Sequence, residues 1–153
     1  MAVKQAVHEP VSNSEHQPAI VRTPGIRELA QLEALFKDMK LGRMMSTPNP
    51  DGCEGGFLVS VNGKSELITG GLFYRINGRA RDIEISIVAV RGESKGQGIG
   101  SALVMDALEI GREKGCKSAS LSLLDETLAP FYEALGFHRV ERDGLELRMS
   151  RRL

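Results

Sequence analysis

Val90-Arg91-Gly92-Glu93-Ser94-Lys95-Gly96-Gln97-Gly98-Ile99-Gly100-Ser101 decides the reading of this chain, because it joins two segments of different periodicity. Before it, residues 80–90 alternate as a strand. After it, Ile99, Leu103, Val104, Ala107, Leu108 and Ile110 recur at helical spacing as far as Lys114, with Gly115 as the cap. Glycines let a backbone approach a ligand closely, and a helix start offers unpaired N–H groups and positive dipole charge. Strand, glycine loop and helix start together predict a phosphate-binding turn; the plainer alternative is a glycine turn with no ligand. Two familiar phosphate loops do not fit. A Walker loop needs Gly-Lys-Ser/Thr, which occurs nowhere in the chain. The dinucleotide fingerprint fails where Ser101 replaces its third glycine, and the upstream strands read as antiparallel hairpins rather than a parallel βαβ unit.

Upstream, residues 19–22 read as a short strand. Thr23-Pro24 reads as the cap and first turn of an amphipathic helix over 25–40, carried by Ile26, Leu29, Leu32, Leu35, Phe36 and Met39. Residues 41–56 are loop by their Pro, Asn, Asp and Gly content. Strands over 57–61, 67–76 and 80–90 form a meander turned at Asn62-Gly63 and Asn77-Gly78, with Gly70-Gly71 marking a bulge or a close backbone approach. Downstream, 118–124 alternates as a strand, 128–135 is a short helix ended by Gly136, and 137–140 and 145–150 form a last hairpin around Arg142-Asp143-Gly144. This order predicts one α/β domain over 19–153, with a mixed central sheet of about seven strands and helices on both faces. Residues 1–18 carry little that is large and apolar and are expected to form a disordered tail.

A chain of 153 residues suits one domain and buries about 70% of its unfolded surface. Its 41% hydrophobic and 26% charged residues exclude a disordered or fibrous class. Twenty basic residues balance twenty acidic ones, so electrostatic wrapping of nucleic acid or of an anionic membrane is not expected. No apolar run reaches the ~20 residues of a membrane span and no signal-peptide core is visible, so a cytoplasmic protein is expected. Cys53 and Cys116 are too few for a disulfide framework or a zinc site, and no metal is expected.

The glycine loop resembles the acyl-CoA loop of the GNAT superfamily of N-acyltransferases, V-x-P-x-x-[RQ]-G-x-G-[IV]-[GA]. Val90, Gly96, Gly98, Ile99 and Gly100 match it. Gly92 stands at the proline position, and Lys95 stands at the Arg/Gln position, keeping the charge but not the planar fork. Roughly thirty residues on, with one strand between, Phe131-Tyr132-Glu133-Ala134-Leu135-Gly136-Phe137 resembles the family's F-Y-E-K-L-G-F signature. The resemblance extends over about residues 19–150.

The resemblance implies transfer of an acetyl group from acetyl-CoA to a primary amine by direct attack in a ternary complex. Such a reaction needs an oriented thioester carbonyl, a neutral amine and a proton for the departing thiolate. By resemblance, pantetheine enters between the strand over 80–90 and the next parallel strand. The backbone of Val88, Ala89 and Val90 then contacts it. Lys95, Gly96, Gln97, Gly98, Ile99, Gly100 and Ser101 hold CoA, with backbone N–H groups from Gln97 to Ser101 on the pyrophosphate. Asp125, where many members carry Asn, meets the pantetheine arm. Tyr132 is implied as proton donor to the thiolate, consistent with an ordinary pKa near 10; a structural tyrosine is the alternative.

Several members place a glutamate on the strand before the loop as base, which points to Glu84. Strict alternation puts Asp82, Glu84, Ser86, Val88 and Val90 on one face and Ile83, Ile85, Ile87 and Ala89 on the other. Glu84 then lies about 13 Å from Val88, at ~3.3 Å per residue. A solvated carboxylate is the alternative, and Asp82 is the second candidate. His8 and His16 fall in the tail, His138 reads as a surface residue and Cys116 as structural.

The expected acceptor is a small-molecule amine or amino acid; a protein lysine or N-terminus is the alternative within the enzyme class. A CoA-binding regulatory domain without turnover is the rival class, and the retained Tyr132 argues against it. By resemblance, residues 25–56 and the last hairpin wall the acceptor site, where Asp51 and Glu54 would suit a cationic amine. A homodimer is compatible with the family, in which dimers are common.

Overall fold

The computed structural model describes residues 20–38, 54–62 and 67–153. Seven strands form one mixed sheet in the order β1-β2-β3-β4-β5-β7-β6. They are β1 (Ile20–Arg22), β2 (Glu54–Val61), β3 (Ile68–Asn77), β4 (Asp82–Val90), β5 (Ser118–Leu123), β6 (His138–Asp143) and β7 (Glu146–Arg152). Helix α1 (Ile26–Asp38) lies on one face; α2 (Ile99–Glu113) and α3 (Ala129–Ala134) lie on the other. Among the described strands only β4 and β5 pair in parallel. The α/β class, the mixed sheet and the two-sided helices agree with the sequence. The expected tail, Asp51, Cys53 and Gly63 of the first hairpin turn lie outside the described residues.

Each face has its own core. Leu103, Val104 and Leu108 of α2 and Phe131 and Tyr132 of α3 pack on Leu58, Leu72, Ile83, Val88 and Leu121. Leu32 and Phe36 of α1 pack on Val59, Phe73, Ile87 and Ala89. The glycine pair on β3 makes both contacts possible. A Cβ on Gly70 would stand 2.8 Å from the Ala89 carbonyl, and one on Gly71 would collide with Leu32. The pairing of Ser60 with Gly70 and of Val61 with Ile68 leaves Thr69 as a bulge, so the segment has both the bulge and the close approach.

Two element starts come later than the pattern suggests, for local reasons. The Gly25 carbonyl accepts the Leu29 N–H at 2.9 Å, so the helix begins after Gly25 rather than at Pro24. Glu28 reaches back to accept the Gly25 N–H at 2.9 Å, and the Arg22 guanidinium forks its carboxylate at 2.6 and 2.5 Å. Strand β4 begins at Asp82 because Asn77 Oδ1 accepts the N–H groups of Arg79 and Ala80, each at 3.1 Å, which holds the turn open to Arg81.

The Gly25 N–H, and behind it Arg22, hold the Glu28 carboxyl below its ordinary 4.5 against the opposing effect of burial. A depressed carboxyl stabilises the fold above its unfolded pKa and loses that contribution as pH falls through the folded value. Wild-type stability should therefore drop as pH falls below 4.5, and Glu28→Gln should drop less steeply. Urea midpoints of the pair across about pH 3 to 6 read the difference; a constant offset would assign the effect to packing alone.

Candidate active site

The site is built on β4, and β4 is not a regular strand. Phe73 faces Ile87 and Tyr74 faces Ile85, so Ser86 is an extra residue with no partner on β3. The bulge reverses the alternation. Ile83, Ile85, Val88 and Val90 face α2, whereas Ile87 and Ala89 face α1. Glu84 and Val88 therefore lie on opposite faces, contrary to the strict alternation expected from sequence. One inserted residue moves every later side chain to the other face.

Pairing between β4 and β5 also stops early. Asp82↔Ser118, Ile83↔Ala119 and Glu84↔Ser120 are in register; no further β4–β5 pair follows among the described residues, although β4 continues to Val90 and β5 to Leu123. Backbone groups of β4 beyond Glu84 that point toward β5 are thus outside any ladder, which leaves a place for a ligand with amide-like donors and acceptors. Val88, Ala89 and Val90 border this split, and the Val88 and Val90 side chains also pack in the core beneath α2.

The glycine loop closes over the open end of the split. Gly96 and Gly98 have φ of +83° and +75°, and nothing lies within 4 Å of a Cβ built on either. A side chain there would be strained by the backbone, not by crowding. The first helical bond of α2 runs from Ala102 N–H to the Gly98 carbonyl at 3.1 Å, and no side chain caps the helix. The N–H groups of Ile99, Gly100 and Ser101 therefore have no partner within the helix. Lys95 and Gln97 are exposed beside them. Arg91 anchors the loop to β3 through its N–H on Thr69 at 2.8 Å and its Nε on the Ile68 carbonyl at 2.6 Å. Open space, bare N–H groups and a nearby cation fit a pyrophosphate.

Tyr132 is fully buried in the α2-side cluster, together with Val88 and Val90 of β4 and Leu121 and Leu123 of β5. Its ring meets Phe131 and Phe137 edge-on, with centroids 4.9 and 5.8 Å apart. Its carbonyl accepts the N–H groups of Leu135 and Phe137 at 3.0 Å each, and Gly136, at φ +91°, makes that reversal. Asp125 is exposed and caps the turn ahead of α3, accepting from the Thr127 N–H at 3.0 Å and hydroxyl at 2.5 Å. These bonds, the hydroxyl's first, hold its carboxyl below the usual range.

On the opposite face, below the split, lies a groove of ≈ 690 Å³. Its floor is one row across four strands: Glu84↔Ser120↔Ser150↔His138. Arg75 and Arg148 also line it. Ser86 Oγ donates to Glu84 Oε1 at 2.9 Å, and Asp82 accepts from the hydroxyls of Ser118 at 2.7 Å and Ser120 at 2.6 Å. The structure thus brings the glycine loop, Val88, Val90 and Tyr132 to one side of the split and Glu84 to the other.

Sequence reasoning gave no role to the serines of β5, to Ser150 or to the two arginines, and it read His138 only as surface. The signal was the alternation of Ser118, Ser120 and Ser122, which puts three hydroxyls on one face. Their meeting with Ser150 and His138 depends on long-range strand order. Glu54 pairs with Lys114 at 3.1 Å and does not line the groove. Cys116 is buried, and burial, then the Asp82 charge, raises its thiol pKa. No three-residue His/Cys/Asp/Glu group suited to a metal occurs among the described residues, and no described helix is long and apolar enough to cross a membrane.

The sequence model described as "Acetyltransferase (GNAT) family" matches residues 26–137. The chain belongs to the GNAT family. A glucosamine 6-phosphate N-acetyltransferase of Trypanosoma brucei brucei is 47% identical over 58 residues, 38% of this chain and 39% of that protein. The match therefore spans about two-fifths of that relative's length. A thialysine N-epsilon-acetyltransferase of Bos taurus is 29% identical over 124 residues, 72% of this chain and 73% of that one. Among solved structures, aminoglycoside 6'-acetyltransferase type Ii superposes with a TM-score of 0.71 at 17% identity, covering 87% of this chain and 96% of that one. The PaiA N-acetyltransferase of Thermoplasma acidophilum, solved in complex with coenzyme A, gives 0.68 at 17% identity, covering 90% and 100%. These two share the GNAT fold.

If the loop takes a pyrophosphate, acetyl-CoA at ~100 times its Kd should stabilise the GNAT domain by about 2.7 kcal/mol. Gly98→Asp puts a carboxylate and a strained left-handed residue at the helix start. The left-handed backbone should cost the free protein about 1 kcal/mol, partly offset by the carboxylate's favourable place at the helix start, and the acetyl-CoA effect should be abolished. Thermal unfolding with and without acetyl-CoA measures both. A variant keeping the full shift would exclude the loop from binding.

Proposed function

We propose that the protein transfers an acetyl group from acetyl-CoA to a primary amine of a small molecule, by direct attack within a ternary complex. One observation carries this reading: the split between β4 and β5 has the glycine loop and Tyr132 on one side and the Glu84 groove on the other, meeting at the Glu84–Ser120 rung. Two substrates can reach one point from opposite faces, so no acyl-enzyme is needed. A groove of ≈ 690 Å³ is of small-ligand size, which favours a small amine over a protein acceptor. Relatives named for acetylating glucosamine 6-phosphate and thialysine point the same way.

In this reading the backbone N–H groups from Gln97 to Ser101 hold the pyrophosphate, with Lys95 beside it and Gly96 shaping the loop. The backbone of Val88, Ala89 and Val90 holds the pantetheine and orients the thioester carbonyl. Asp125 supports the arm's exit by fixing the turn that leads into α3. Glu84, held by Ser86, takes a proton from the acceptor ammonium, directly or through water. The amine nitrogen then attacks the thioester carbon, the C–N bond forms and the C–S bond breaks. Tyr132 gives its hydroxyl proton to the departing sulfur. The proton taken by Glu84 and the second proton that the nitrogen loses as the amide forms both pass to solvent, and one from solvent restores Tyr132, so the sum is amide, free CoA thiol and one released proton.

The direct test is thiol release from acetyl-CoA with a panel of small amines and a lysine peptide, with product masses. Tyr132→Phe keeps the ring and its packing and should lower kcat by about 10² to 10⁴ with little change in KM for acetyl-CoA. Glu84→Gln should remove the acidic limb of the kcat/KM profile against pH. A Tyr132→Phe enzyme with a near-normal single-turnover rate would assign the thiolate proton to water.

A further inference from the structure

The groove carries more information than its position. Its floor across β5 and β7 is made of two small hydroxyl residues, Ser120 and Ser150, between a carboxylate on β4 and an imidazole on β6. Glu84 and His138 stand three strand spacings apart, about 14 Å between backbones at ~4.8 Å per strand. Both side chains line the same groove.

The two ends differ in charge. At the β4 end stand two carboxylates, Asp82 on the hydroxyls of Ser118 and Ser120 and Glu84 on that of Ser86, against the guanidinium of Arg75, so this end is net acidic. Arg75, the neighbour of Glu84 on β3, lies with its guanidinium carbon 5.5 Å from the Phe73 ring centroid. At the far end Arg148 stands two residues along β7 from Ser150, the partner of His138, and lines the groove with both. Arg148 pairs with Glu141 at 3.2 Å, both side chains being half-exposed, and such a pair exchanges readily for a ligand's acid group.

We infer that the groove binds an amine bearing an anionic group, carboxylate or phosphate, at its far end, with the ammonium toward Glu84 and the acid toward Arg148 and His138. This rests on the acceptor reading above and specifies its substrate class. The same polarity selects against a diamine, whose second ammonium would face Arg148.

The test uses the full chain with acetyl-CoA and matched amines: ε-aminohexanoate, hexylamine and hexamethylenediamine in one arm, glucosamine 6-phosphate and glucosamine in the other. The inference expects kcat/KM to favour the acid-bearing member by about tenfold or more in at least one arm, with the diamine lowest. The arm that responds tells carboxylate from phosphate. Arg148→Gln should collapse that ratio, chiefly through KM. Ratios near one in both arms, with turnover, would overturn the inference and leave acetyl transfer standing. If nothing turns over but the acid-bearing amines bind the CoA complex in calorimetry and their acid-free partners do not, the groove inference holds and the transfer reading falls. Absence of both turnover and binding overturns both.

Discussion

The early end of pairing between β4 and β5 is the constraint on which the rest depends. Three residue pairs join the four-strand half of the sheet to the three-strand half. A junction so short needs reinforcement at its closed end, and several independent contacts supply it. Asp82 crosses to Ser118 and Ser120 through side chains. The Arg81 carbonyl accepts the N–H groups of Lys117 at 2.6 Å and Ser118 at 3.3 Å. Helix α2 lies so close over the junction that a Cβ on Gly111 would stand 2.7 Å from Ile83 Cγ2. With that end stapled, the other end can stay open without the halves separating.

The bulge at Ser86 is the second half of the same device. Beyond it β4 lies between two helical layers, so Ile87 and Ala89 fill the α1 core while Val88 and Val90 fill the α2 core. Before it, the described elements cover only the α2 face of β4, and Asp82 and Glu84 line the groove. The change shows in the residues themselves: Asp82-Ile-Glu-Ile-Ser86 alternates and Ile87-Val-Ala-Val90 does not. An unbroken apolar run marks a strand buried on both faces. That switch was legible in the residue types, although the strict alternation expected as far as Val90 passed over it. The inserted residue was not, because a bulge is defined against its partner strand, here at Phe73 and Tyr74.

Other parts divide along the same line. The glycine loop, α2, Gly136 and the Gly70-Gly71 approach were readable because each depends on backbone conformation or local periodicity. Tyr132 was found through its motif; its complete burial comes from packing between Phe131 and Phe137 that local spacing does not reveal. The start of α1 was misplaced because Glu28, with Arg22 behind it, holds the Gly25 N–H and fixes Gly25 as the residue whose carbonyl takes the first helical bond. The groove was least legible, since its floor joins residues that lie dozens of positions apart and meet only through the strand order β4-β5-β7-β6.

That arrangement separates two electrostatic tasks in the proposed reaction. The leaving sulfur would depart into the α2-side cluster of Val88, Val90, Leu121 and Tyr132, which is apolar and closed to water. A thiolate has little to solvate it there, so a proton donor within the cluster matters more than it would in water. The amine would approach across serine hydroxyls in an open groove, where Glu84 and water are at hand to carry its proton away to solvent. In this reading Glu84 would act from the groove side and Tyr132 from the apolar cluster, with the split between them. The bulge serves this separation directly, because without the extra residue at Ser86 the side chains of Glu84 and Val88 would share one face.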